Sequence, residues 1–149
     1  MATPNMNTQA SEEQIVYAKI LEKGMFTGLA LMVITFVLYV FRIVPPMIPR
    51  YEIANYWRMP VKEYLEAINN NYLHLAHPPT GWAWIYLINK GDFLNFIPIA
   101  ILSGITIMCY LVIVPTLLRK KDTAYVVMCL AEAAILTLAA SGLLTAGGH

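Results

Sequence analysis

The sequence predicts an all-α integral membrane protein: three transmembrane helices, plus an interfacial amphipathic helix in the long loop between the first two. Three observations predict it. Only 13% of the 149 residues are charged, where a soluble domain carries about 25%, and the mean hydropathy is +0.58. Three apolar runs are long enough to cross a hydrocarbon core. The segment between the first two runs has helical periodicity of its own instead of linker composition.

The first run, "GMFTGLALMVITFVLYVF" from Gly24 to Phe41, holds eighteen residues without a charge. It follows Glu12, Glu13 and Glu22 and precedes "RIVPPMIPR" rather than a small-residue cleavage site, so it reads as a retained anchor and not as a signal peptide. Ser11 with Gln14 three positions later forms a capping-box pattern, and acids in the first turn suit the helix dipole. The helix expected over 12–42 is about 46 Å long, so a turn or two projects beyond the bilayer.

The loop over 43–91 opens with Pro45, Pro46 and Pro49, which stop the first helix. A loop this long in a compact protein has structure or function. After Pro60, "VKEYLEAINNNYLHL" puts Val61, Tyr64, Leu65, Ile68, Tyr72 and Leu75 on one helical face, with Lys62, Glu63, Glu66, Asn69 and Asn70 opposite. An amphipathic helix is expected over about 60–75, lying on the membrane or on the outer ends of the spans. Pro78 and Pro79 end it. "TGWAWIYLINKGD" follows, too short to span, with Trp82, Trp84 and Tyr86 suited to the headgroup level.

The second span is expected over about 92–118, with Asp92 as its cap and with Pro98 and Pro115 as bends that neighbouring helices accommodate. The third is expected over about 123–146, capped by Asp122. The chain is thus read as a single membrane domain over 1–149. "RKK" at Arg119–Lys121 fills the tight turn between spans two and three, and Lys19 and Lys23 precede span one. Arg50, Arg58, Lys62 and Lys90 are spread thinly over the long loop. The positive-inside rule then places the N-terminus in the cytoplasm, the C-terminus and the 43–91 loop outside, and the protein in the cell inner (plasma) membrane as a multi-pass component.

Glu132, in "MCLAEAAIL", is the residue most costly to place: it falls near the bilayer centre, where an ionisable group is a candidate functional site. Thr35 and Thr106 are expected near its depth. The favoured reading is a neutral carboxyl that hydrogen-bonds to a neighbouring helix or subunit; the sharper one is a proton relay completed by groups from another subunit. Ala133, Thr137, Ser141 and Thr145, at four-residue spacing, form a small-residue stripe of the kind that lets helices approach closely, and they mark an interface. Trp82 and Trp84 are expected at an interface as well.

None of the three histidines lies in a span, so intramembrane haem ligated by this chain's histidines is excluded. His74 and His77, three apart, fall with His149 on the same predicted side and form a candidate zinc or copper set; the favoured reading is surface imidazoles that bond to the loop or a partner. Cys109 and Cys129 lie in apolar runs without a C-x-x-C, and read as small hydrophobes. Met25, Met32, Met108 and Met128 read as gap-fillers. No phosphate loop, nucleophile elbow or carboxylate pair occurs, and a net charge of +1 without basic-aromatic stretches argues against nucleic acid.

The function expected is that of a non-catalytic accessory or scaffold subunit of a larger membrane complex, respiratory or electron-transfer in kind. No intrinsic cofactor is expected, though lipid or quinone at the interface is compatible with this reading. The partners expected are other integral membrane subunits, the lipid bilayer, and an extracytoplasmic protein docked on the loop. Two alternatives stay open: a quinone- or metal-handling redox subunit at the outer interface, and a transporter or channel component that uses Glu132.

Overall fold

The computed structural model describes residues 9–144. Among them all regular structure is helical: α1 (Glu12–Val40), α2 (Arg50–Tyr56), α3 (Val61–Ile68), α4 (Gly91–Leu94), α5 (Phe96–Arg119) and α6 (Thr123–Ala140). Three helices are long and apolar enough to cross a membrane: Glu12–Val40, Gly91–Arg119 and Thr123–Ala140. Their large apolar side chains point outward, as with Phe26, Val33, Phe36, Val127 and Ile135, each more than half exposed. That is the pattern of helices whose solvent is hydrocarbon.

The chain forms two compact units. One comprises the described residues up to Thr27 and from Leu102 onward; the other is Gly28–Ile101. The first is centred on Ile113, Leu117, Val126 and Cys129, with Val16, Tyr17, Tyr110 and Val114 packed around them. Gly24 belongs here for a steric reason: a Cβ on it would lie 2.2 Å from Ile105 Cδ1. The second unit is centred on Met47, Ile48, Ile68 and Phe93.

Helix α1 starts on a reciprocal capping box. The Ser11 N–H donates to Gln14 Oε1 (3.0 Å) and the Gln14 N–H to Ser11 Oγ (3.4 Å), which satisfies two donors that a helix start leaves open. It ends at Val40, two residues earlier than expected and ahead of the prolines. Ile43 N–H donates to the Leu38 carbonyl (3.0 Å) and Arg42 N–H to that of Tyr39 (3.2 Å). Arg42 takes the left-handed conformation, with φ 57°. This is a Schellman stop with arginine where glycine is usual. The Arg50 guanidinium donates to the Val40 carbonyl, one more of the acceptors left open at that end.

The long loop is folded. Periodicity had not announced α2, whose Ile53 and Tyr56 pack on the second unit's core. Helix α3 follows Pro60, and its Tyr64, Leu65 and Ile68 turn to Met47, Ile48 and Phe93. Val61, expected on that apolar face, is 75% exposed. The helix does not run regularly to residue 75. It widens into a π-helical turn over Asn69–Leu73 and stops at His74, which is left-handed (φ 52°, ψ 36°). Asn69, expected on the polar face, is buried. Its Nδ2 donates to the Leu75 carbonyl (2.9 Å) and its Oδ1 accepts the Leu75 N–H (3.1 Å). One amide side chain thus pairs with both backbone polar groups of Leu75 and fixes where the chain leaves the helix.

The second span is interrupted at its start. Helix α4 begins at Gly91, which is buried; a Cβ there would lie 3.1 Å from the Val44 carbonyl oxygen. The Gly91 N–H donates to the Pro45 carbonyl (3.0 Å). The cap position belongs to Lys90 and not to Asp92; the Asp92 carboxylate accepts the Met47 N–H instead. Pro98 lacks the N–H that would bond the Leu94 carbonyl, and its ring crowds that group, so the helix breaks at Asn95 and resumes as α5. Asp122 does occupy the cap position of α6 but makes no side-chain capping bond. Helix α6 ends at Ala140, six residues short of the expected bound, where Ser141 and a left-handed Gly142 (φ 75°) terminate it.

Candidate functional site

Glu132 sits ten residues into α6, about 14 Å from its start. Val126, Cys129 and Ala133 form the buried face of the helix. Glu132 lies roughly a quarter turn from that face at 100° per residue and belongs to the exposed stripe of Tyr125, Met128 and Ile135. No hydrogen bond or ion pair engages its carboxylate among the described residues. Thr106 is half-buried on α5. Thr35 is buried in the other unit, and its hydroxyl is committed there to Asn95 Oδ1 and to the Met32 carbonyl.

The small-residue stripe lines a groove of about 500 Å³ together with Leu111, Leu130 and Leu138. Ala133 forms its floor and is buried, while Ser141 stands at its exposed end. Among the described residues, both hydroxyls of the stripe turn back on their own helix: Thr137 Oγ1 donates to the Ala133 carbonyl (2.7 Å) and Ser141 Oγ to that of Leu138 (2.6 Å). The groove therefore offers shape rather than free donors. Thr145 lies outside the described residues.

His74 and His77 are both exposed. The helix that would align them ends at Leu73, so their three-residue spacing does not put them on one helical face. His149 lies outside the described residues. Among the described residues, no three side chains of His, Cys, Asp or Glu come together as a metal set.

The aromatic segment forms a short 3-10 helix, Gly81–Leu87. Trp84 stacks on Phe96 (centroids 5.8 Å apart, planes at 21°), and Phe96 stacks on Phe93 (5.9 Å, 25°). Trp82 lies 6.0 Å from Trp84. Trp84 thus anchors the segment to the start of the second span, while Trp82 and Tyr86 stay largely exposed, at 47% and 88%.

Sequence reasoning missed one site. The ends of α1, α5 and α6 in the first unit enclose a cleft of about 540 Å³, lined by Glu13, Tyr17, Tyr110, Lys120, Tyr125 and Cys129 among others. Glu13 is buried and its Oε1 lies 2.5 Å from Lys120 Nζ. That contact raises the affinity of Lys120 for its proton above the ordinary lysine value. The Tyr17 and Tyr110 rings meet at 6.0 Å and 60°. Glu13 had been assigned to the helix dipole and Lys120 to topology; both lie at the same predicted end of the spans, and that was the signal available.

An uncharacterized protein of Archaeoglobus fulgidus is 43% identical to this chain over 147 residues, covering 99% of each. No family model matches the chain, and no solved structure matches it.

Proposed function

We propose that this chain, which belongs to one family with the Archaeoglobus fulgidus protein, is a non-catalytic accessory subunit of a larger membrane complex. One observation carries this reading: Glu132, midway along an apolar helix, faces outward. A carboxyl turned to hydrocarbon costs several kcal/mol at the bilayer centre. A neighbouring subunit that supplies a hydrogen-bond partner removes most of that cost. The groove along Ala133, Thr137 and Ser141 supports the same reading, since small residues admit close approach by another helix.

The proposed placement is a multi-pass protein of the cell membrane, with the N-terminus and the Arg119–Lys121 turn cytoplasmic and the 43–91 loop outside. In that placement the exposed Trp82 and Tyr86 sit at the headgroup level, and the outer loop is the surface for an extracytoplasmic partner. The host is proposed by class alone as a respiratory or electron-transfer complex, since such assemblies gather small helical subunits.

The test is extraction from native membranes in mild detergent, with partners identified by mass spectrometry and stoichiometry read on a native gel. Glu132→Gln keeps a hydrogen-bonding group and is expected to stay in the complex; Glu132→Leu is expected to leave it. Migration of the wild-type chain as a lone monomer, or retention of Glu132→Leu at full stoichiometry, would overturn the reading.

A further inference from the structure

The cleft of the first unit plays no part in the proposed subunit contact, and its chemistry is specific. Its apolar lining includes Ile113 and Leu117, both buried core residues of that unit. Tyr17, Tyr110 and Tyr125 add phenolic side chains. The Glu13–Lys120 pair lines it as well. Glu13 Oε1 is shielded from water and contacts the Lys120 ammonium.

We infer that this cleft binds the ring of a lipid-soluble quinone. The volume falls within the range of small-molecule sites. The position suits a ligand that partitions into bilayer, because the walls come from three helices apolar enough to span one. A quinone ring is flat and apolar on its faces, matching tilted tyrosine walls, and it carries carbonyl oxygens at its edge. The half-exposed Lys120 ammonium and the tyrosine side chains supply donors for those oxygens, while the shielded Glu13 Oε1 holds the ammonium in place. An anionic lipid headgroup fits less well, because Glu13 and Asp122 in the lining outnumber its one cation, Lys120. The inference concerns binding alone and does not rest on the subunit reading.

The experiment uses the full chain, purified in detergent, with decylubiquinone as probe. Its ring is fully substituted, so the Cys129 thiol finds no open position to add to. Calorimetric titration is expected to show saturable binding at one molecule per chain. Lys120→Met removes one charged donor and should weaken binding about tenfold. Ile113→Trp fills the cleft and should abolish it, whereas Trp84→Phe, in the other unit, should leave it unchanged. Circular dichroism shows whether each variant retains wild-type helicity, and Lys120→Arg, which keeps the donor, should recover most of the affinity. The inference is overturned by non-saturable uptake, by equal binding to a helical Ile113→Trp variant, or by a co-purified phospholipid in the cleft that the quinone does not displace.

Discussion

Lys120 Nζ lies 2.5 Å from Glu13 Oε1 and ties the turn after α5 to the first turn of α1. The lysine is half exposed and the carboxylate nearly buried, so the two ends of the contact differ in what they lose when it breaks. Removing Lys120 leaves a shielded carboxylate without its cation; removing Glu13 leaves an ammonium that water can reach. A double-mutant cycle on thermal unfolding in detergent is the measure. Lys120→Met is expected to lower Tm more than Glu13→Gln, and the double variant to fall no lower than Lys120→Met alone. Strictly additive shifts would remove the coupling.

Gly24 leaves no room for a Cβ, because Ile105 occupies the space. Gly24→Ala requires the Ile105 side chain to swing aside and should cost about 1–3 kcal/mol. Gly24→Val adds branches the flexible end cannot clear and should cost more. Ile105→Ala in the Gly24→Ala background is expected to restore part of the loss. Failure of that rescue would show that the close approach is not what holds Gly24 in place.

Asn69 serves both polar groups of Leu75. Asn69→Ala removes the partner of both groups and should destabilise the second unit by roughly 2–3 kcal/mol. All three tryptophans, Trp57, Trp82 and Trp84, belong to this unit, so denaturant unfolding followed by their fluorescence reads it directly. Asn69→Asp keeps the acceptor and loses the donor, and its midpoint should fall between alanine and wild type.

Tyr72 donates its phenolic hydrogen to Glu52, and the neighbouring carboxylate raises the phenol above its ordinary value, with the Tyr56 hydroxyl adding to the effect. The raised value means that the bond contributes fully below the ordinary phenol pKa of about 10 and is lost as pH climbs through the folded value. Phenolate absorbance in Glu52→Gln should therefore show about one more tyrosine ionising just above pH ~10 than in wild type. Superimposable titrations would exclude the carboxylate as the cause.

The three long helices were legible because apolar length is a signal that needs no tertiary information, and the capping box because both partners lie within one turn. The break at Asn95 was half legible: Pro98 announced a defect, but the four residues ahead of it carry too little periodicity to show as a separate helix. Helix α2 was missed for the same reason, since seven residues between prolines give less than two turns of pattern. Asn69 deceived because asparagine on a wheel reads as polar surface, whereas its amide is consumed by a backbone contact that depends on the chain turning back at His74. The Glu13–Lys120 cleft lay beyond sequence reading altogether, since the two residues stand more than a hundred positions apart and meet only through the packing of the first unit.

Helix α5, like α1, stops on a cation in left-handed backbone. Asp122 N–H donates to the Leu117 carbonyl and Lys121 N–H to that of Leu118, with Lys121 at φ 57°. The conformation costs a lysine about 1–2 kcal/mol, and a positive charge beside the negative pole of the helix returns about 0.3–1 kcal/mol. The charge offsets only part of the strain, so Lys121→Gly should keep the turn without loss of stability while subtracting one charge from the side proposed to be cytoplasmic. Hairpin geometry and insertion polarity, fused in one residue, can there be pulled apart.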